Sequence, residues 1–178
     1  VSADFLKLVC GAVPVEQRFV GWDVGMIQAD ALGVDQQRTL DSLKVLDTVL
    51  PQRLDQEAAW LAQQNTPVLV VGDIPPAAAL LAERLGAPLV WMGNFGWDDI
   101  YEPLGGLFSE YAAAAKANYQ QGDLLLRCPF SLPMEWGLSE QQLGVTVSPL
   151  RDLPEPWRLH LEQIQEPLIL VGFGVLGV

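Results

Sequence analysis

Asp73 is the side chain in this sequence best placed to act as a reactive carboxylate. It follows the apolar run 68–71, which is typical of a strand buried on both faces. A carboxylate in this position can accept a hydrogen bond from a sugar hydroxyl, or act as a catalytic base where burial raises its pKa. Asp is equally suited to capping the helix that comes next, so both interpretations of Asp73 stay open.

A second group of polar and aromatic residues follows the next apolar run, residues 88–92. It contains Asn94, Trp97 and Asp98, which we predict to bind substrate. In open α/β sheets, ligands bind at the edge formed by the carboxyl ends of the strands. We therefore expect Asp73 and Asn94 to follow neighbouring strands and to lie at the same edge.

The segment 21–34 supplies a third set of candidate binding residues. Asp23, Gln28 and Asp30 lie there close to Trp22, and a mixture of carboxylates, an amide and an aromatic face suits carbohydrate. A solvated loop is the simpler interpretation and stays open. Because the aspartates are irregularly spaced, they are a weak signal for a metal ion, and we predict neither a metal nor a cofactor.

The sequence GFGVLG near the end of the chain has the dinucleotide-binding pattern of glycines at Gly172, Gly174 and Gly177. Neither a helix nor an acidic residue about 20 positions on follows it, so a nicotinamide site is disfavoured. We predict instead a loop that faces the phosphates of a donor, with a plain glycine-rich segment as the alternative.

The order of apolar and helix-forming segments predicts how these residues are positioned. Strands alternate with helices, which indicates an α/β fold with a mainly parallel, Rossmann-like sheet flanked by helices. We expect strands at 68–71 and 89–92 to be adjacent and parallel, joined by a right-handed crossover through helix Ala77–Leu85. Further strands are predicted at 13–20 and 143–147.

Two other features of the sequence predict further helical structure. Asp35 can cap a long helix with one apolar stripe, in which Pro51 should introduce a kink or a break. Trp97 and Tyr101 are four residues apart, so on a helix they share one face.

Composition excludes several classes of function. The net charge of −12 disfavours nucleic acid and anionic lipid as partners, and no apolar run is long enough to cross a membrane. Cys10 and Cys128 lie far apart in or beside apolar segments, which favours reduced thiols and a cytoplasmic location.

Three stretches resemble a known family: FVGWDVGMIQADALGVD, LVVGDIPPAAALLAERLGAPLVWMGNFGWDDIY and DLLLRCPF. They look like the N-terminal half of GT-B-fold glycosyltransferases, most of all the bacterial glycosyltransferase-like proteins related to the N-terminal region of plant L-arabinokinases. The resemblance implies that Asp73 and residues 94–98 line the cleft between two Rossmann-like domains. It also implies that the final glycine loop faces the donor's phosphates.

This sequence departs from the family pattern in two places. It starts after the family's opening strand and Gly-His-rich loop, and Val175 replaces an expected glycine. We therefore predict a partial acceptor-side domain over residues 1–150 and, over 151–178, a connector helix with the first strand of a donor-binding domain.

The function implied by the resemblance is transfer of a sugar from a nucleotide-sugar donor to an acceptor hydroxyl in the complete protein. Asp73 would orient the acceptor, and this chain alone is expected to be inactive. The alternative is a non-catalytic scaffold that binds a protein partner in a larger assembly. An oxidoreductase fragment, resting on the glycine pattern alone, is a weaker third interpretation.

Overall fold

The structure, a computed structural model, describes residues 10, 13–30, 33–145 and 152–169. The chain divides into two compact units, Val1–Val145 and Thr146–Val178. In the first unit a four-stranded parallel sheet has the order β1-β2-β3-β4. Its strands are β1 (Val70–Gly72), β2 (Leu89–Gly93), β3 (Leu124–Arg127) and β4 (Glu140–Gln142).

Helices flank this sheet, which confirms the predicted α/β, Rossmann-like class. Those of the first unit are α1 (Gln36–Ala62), α2 (Ala77–Leu85), α3 (Trp97–Tyr101) and α4 (Leu107–Tyr119), with a short 3-10 turn at Glu102–Leu104. The second unit contains α5 (Glu155–Glu162). No helix among the described residues is long and apolar enough to span a membrane.

The predicted βαβ unit is confirmed, since β1 pairs with β2 in parallel and α2 connects them. Leu89 and Trp91 are buried on the sheet face that packs against α2 and α4. The predicted burial of the first strand on both faces is wrong, because Val71 is 53 % exposed. β1 is an edge strand, and within the described residues its second face carries no covering helix.

Helix α1 begins as predicted, with Asp35 Oδ1 accepting a hydrogen bond from the Arg38 amide at 2.9 Å. Pro51 does not divide this helix, which continues to Ala62. Leu43 and Leu54 lie on the two sides of the proline and are both buried. Burial of the apolar stripe offsets the backbone hydrogen bond that proline cannot make.

The predicted strand at 13–20 is wrong, because these residues join no sheet in the described part of the chain. Arg18 instead holds this segment against α1, with bonds of 2.6 and 2.7 Å to Glu57 and its guanidinium 4.1 Å from the Trp60 ring centre.

Of the strand expected at 143–147, residues 143–145 form no strand, and residues 146 and 147 lie outside the described residues. A strand lies earlier, at Glu140–Gln142, and all three of its residues are exposed. Backbone pairing with β3 and the two 2.8 Å bonds from Arg127 to Glu140 hold this polar strand. Apolar patterning therefore does not locate it.

Replacement of Gly86 by alanine should destabilise the first unit. Gly86 ends α2 with φ of 58°, and its amide bonds back to Ala82 and Glu83. An alanine in this left-handed conformation costs about 1 kcal/mol. Gly144→Ala is the matched control, because its backbone is not left-handed and an added Cβ meets no atom within 4 Å. Urea unfolding should show a loss for the first variant only; equal stabilities would contradict the assigned cap.

Candidate functional site

Asp73 and Asn94 both lie at the carboxyl edge of the sheet, because each follows one of two adjacent parallel strands. Both side chains are exposed. Asp73 does not cap α2, whose cap position is Pro76 without a side-chain hydrogen bond. The Asp73 carboxylate has no hydrogen-bond partner among the described residues, so it is open to a ligand.

The turn after Asp73 is held in an unusual conformation. Ile74 has φ of 65°, which is rare for a β-branched side chain. Its carbonyl accepts a 2.6 Å hydrogen bond from the Tyr119 hydroxyl. A Cβ on Gly93 would lie 2.6 Å from Ile74 Cγ2, so only glycine fits beneath this turn. The neighbours thus fix the backbone that presents Asp73.

The segment 21–30 contacts α3 through two side chains of that helix, across 74 and 76 positions of sequence. Trp97 Nε1 donates a 3.0 Å hydrogen bond to Asp23 Oδ2, and the Tyr101 hydroxyl donates to the Gly25 carbonyl at 3.3 Å. Trp97 and Tyr101 share a helix face as predicted, with ring centres 5.4 Å apart and nearly parallel planes. Two of the predicted binding residues, Asp23 and Trp97, are therefore in direct contact.

Asp23, Trp97 and Tyr101 line a cleft between the 21–30 segment and helices α1, α2, α3 and α4, with a volume of about 160 Å³. A cavity of about 150 Å³ holds one benzene ring, so this cleft suits a single ring-sized ligand. Its aromatic lining is Trp22, Trp97, Tyr101 and Tyr111, and its polar lining is Asp23, Asp47 and Asn118. We call it the aromatic cleft.

The tyrosines of the aromatic cleft stay protonated at neutral pH. Burial, followed by the 2.8 Å hydrogen bond to Asp47, raises the pKa of Tyr111 to about 12. Burial, and to a smaller extent the charge of Asp23, also raises the pKa of Tyr101. Both hydroxyls therefore act as donors, and each aspartate keeps a second oxygen with which to accept a hydrogen bond from a ligand.

Asp98 does not line the aromatic cleft. It is 7 % exposed, its Oδ2 accepts a 3.0 Å hydrogen bond from Trp136 Nε1, and its Oδ1 has no partner in the described structure. Burial raises the pKa of this carboxyl. Asp98 lines a separate cavity of about 520 Å³, together with Asp99, Glu102 and Lys116.

The predicted residues Gln28 and Asp30 take part in local structure before α1. Gln28 forms an antiparallel bridge with Val34, and Asp30 Oδ1 accepts a 2.7 Å hydrogen bond from the Gly33 amide. Neither residue lines the aromatic cleft. The predicted phosphate-facing glycines, Gly172, Gly174 and Gly177, lie outside the described residues.

Several residues of the site were not found from the sequence. Asp47 and Tyr111 are 64 positions apart in sequence, and Trp136, whose indole is bonded to Asp98, lies 38 positions after it. No local pattern links such pairs. Among the described residues no group of three or more His, Cys, Asp or Glu side chains is placed to hold a metal ion.

The fold and the cleft define an α/β protein with a Rossmann-like parallel sheet and a largely apolar cleft that holds four aromatic and three polar side chains. No family model matches the sequence, and no solved structure matches it. The chain is 32 % identical over 126 residues to L-arabinokinase from Arabidopsis thaliana. The match covers 63 % of this chain and 11 % of the plant protein, so the chain corresponds to a small part of that relative.

Proposed function

We propose that this chain is the acceptor-side part of a nucleotide-sugar-dependent glycosyltransferase-like protein, and that the aromatic cleft binds an uncharged sugar. The observation that carries the proposal is the direct pairing of aromatic rings with carboxylates. Trp97 is bonded to Asp23 and Tyr111 to Asp47. Aromatic faces pack on the C–H faces of sugar rings while carboxylates accept hydroxyl protons, and both kinds of group line this cleft.

The similarity to L-arabinokinase supports a protein that handles sugars. Since the match covers little of that enzyme, it favours neither glycosyl transfer nor phosphoryl transfer. L-Arabinose therefore belongs among the sugars to be tested.

Charge supports the assignment to the acceptor rather than the donor. With 22 acidic and 10 basic residues, the mean field of the chain repels an anionic nucleotide sugar. The aromatic cleft is lined by two aspartates and by no lysine or arginine. We propose that donor phosphates bind elsewhere in the complete protein, with Gly172, Gly174 and Gly177 as the candidate loop.

Binding of neutral sugars to the 178-residue protein tests this function. Calorimetry and saturation-transfer NMR with monosaccharides and methyl glycosides should detect binding. Trp22→Ala and Asp23→Asn should each weaken it about tenfold, equivalent to about 1.4 kcal/mol. Trp22 is half-buried in the cleft lining and belongs to neither core cluster, so its removal should leave the fold intact.

Asp55→Asn is the matched carboxylate control, because Asp55 is exposed on α1 and pairs with Arg84 at 3.0 Å, away from the cleft lining. It should leave the affinity unchanged. If no neutral sugar bound, or if all three variants behaved alike, the proposed function would be wrong.

A further inference from the structure

Phe130 combines an exposed aromatic ring with a strained backbone conformation. Its ring is 94 % exposed, and its backbone has φ of 58°. The left-handed region is uncommon for a bulky residue and is costly when it occurs. Exposure of a large aromatic ring and backbone strain therefore coincide at one residue, and such strain clusters at active sites, ligand clamps and switch regions.

Phe130 projects from the same sheet edge that carries Asn94. The Cys128 amide donates to the Gly93 carbonyl at 2.8 Å, and the Leu132 amide donates to the Asn94 carbonyl at 2.7 Å. Residues 129–131 form a short loop between these two bonds. The loop that carries Phe130 is therefore tied through its backbone to Gly93 and Asn94, and strand β2 separates its own strand, β3, from β1.

Arg127 holds this loop in place through hydrogen bonds. Its Nη1 donates to the Leu132 carbonyl at 2.9 Å and to Ser131 Oγ at 3.2 Å, and its Nη2 donates to the Pro133 carbonyl at 3.0 Å. Glu140 holds the same guanidinium through two 2.8 Å bonds. The loop is therefore ordered before any ligand arrives, which reduces the entropy lost on binding.

We propose that Phe130 is a stacking platform for an uncharged sugar ring of the ligand, with the Asn94 amide beside it to bond a ring hydroxyl. This inference rests on the proposed function, and it adds a contact at the sheet edge outside the aromatic cleft. An uncharged ring fits best, because the N–H groups of Arg127 are already bonded to Glu140 and to the loop. None of the other residues described as building this loop carries a positive charge that could bind an anionic ligand.

Variants of Phe130 in the 178-residue protein test the platform. Phe130→Ala should weaken binding of neutral glycosides about fivefold, whereas Phe130→Trp should retain it. Phe19→Ala is the matched control, since this ring is 85 % exposed on a segment that Arg18 holds against α1, and its effect should stay within about twofold. Phe130→Gly should lower the affinity as alanine does while raising the melting temperature by about 2 °C or more, because glycine accepts the left-handed backbone without strain.

Arg127 is a positioning residue in this proposal, and a double-mutant cycle separates that role from a structural one. A lysine cannot reproduce the forked set of bonds, so Arg127→Lys should weaken glycoside binding in the wild-type background. In the Phe130→Ala background it should have no further effect on affinity, although its effect on stability should persist.

The outcomes distinguish this inference from the proposed function. If Trp22→Ala weakens binding and Phe130→Ala does not, the aromatic cleft stands and the platform is wrong. If Phe130→Ala changes only the oligomeric state in sedimentation, the ring contacts protein and the platform is again wrong. If wild type binds no neutral glycoside, both proposals fail.

Discussion

Trp91→Ala should reduce the free energy of unfolding of the first unit by about 3–5 kcal/mol, a large part of the stability of a typical domain. Trp91 is 1 % exposed at the centre of β2. Its Nε1 donates a buried 2.9 Å hydrogen bond to the Tyr119 carbonyl. Its ring makes edge contacts with Tyr119 at 5.0 Å and Trp136 at 6.2 Å between ring centres.

The surroundings of Trp91 cannot collapse to fill the space. A Cβ on either Gly72 or Gly122 would clash with the indole, so the backbone approaches the ring from two sides. A rigid cavity of this kind adds its own cost to the lost burial.

Urea unfolding followed by circular dichroism measures this effect. Trp91→Phe should give an intermediate loss, because the smaller ring keeps most contacts but not the indole N–H. Trp157→Ala removes an exposed indole from α5 and should change the stability by less than about 0.5 kcal/mol. Similar losses for Trp91→Ala and Trp157→Ala would show that the core is assigned incorrectly.

The elements that follow local rules were predictable from the sequence. Asp35 at the start of α1 and Gly86 at the end of α2 are local signals, and the structure confirms both. The apolar runs on each side of α2 predicted two adjacent parallel strands, which is the arrangement observed. Asp73 and Asn94 consequently lie at the expected edge.

Elements that depend on a distant partner were not predictable. Residues 13–20 have the composition of a strand, but a strand also needs a neighbour, and Arg18 anchors the segment to a helix instead. The exposed strand Glu140–Gln142 has no apolar pattern to reveal it. Pairing, not propensity, decides both cases.

The candidate site shows the same limit within a single helix turn. Trp97 and Asp98 are adjacent in sequence and were predicted to bind the same substrate. Consecutive residues on a helix point about 100° apart, so they face different surroundings. Trp97 bonds to Asp23 in the aromatic cleft, whereas Asp98 bonds to Trp136 in the interior.

Asp98 should make the stability of the first unit fall as the pH rises. Its carboxyl is buried, with one oxygen bonded to the Trp136 indole and the other without a described partner. Burial raises its pKa above the usual value, since the charged form loses its hydration. A group with a raised pKa in the folded state stabilises the protein fully below its unfolded pKa. That contribution is lost as the pH rises through the folded pKa.

Asp98→Asn removes this titration while keeping an oxygen that can accept from Trp136. The difference in unfolding free energy between wild type and variant should therefore depend on pH. From pH 4 to pH 8 it should shift in favour of the variant by at least about 1 kcal/mol, as expected for a buried charged group with an unpaired oxygen. Comparison of the two proteins cancels the titration of the other carboxyls.

Asp73→Asn is the control for replacing an aspartate by an asparagine, because Asp73 is exposed and has no described partner. Its free energy of unfolding should stay within about 0.5 kcal/mol of that of wild type. Urea titrations at pH 4, 5, 6, 7 and 8 would measure all three proteins. If the free energy of unfolding of Asp98→Asn stayed as close to that of wild type at every pH as that of Asp73→Asn, the carboxyl of Asp98 would have to be hydrated like a surface group. Its assignment to the interior beside Trp136 would then be wrong.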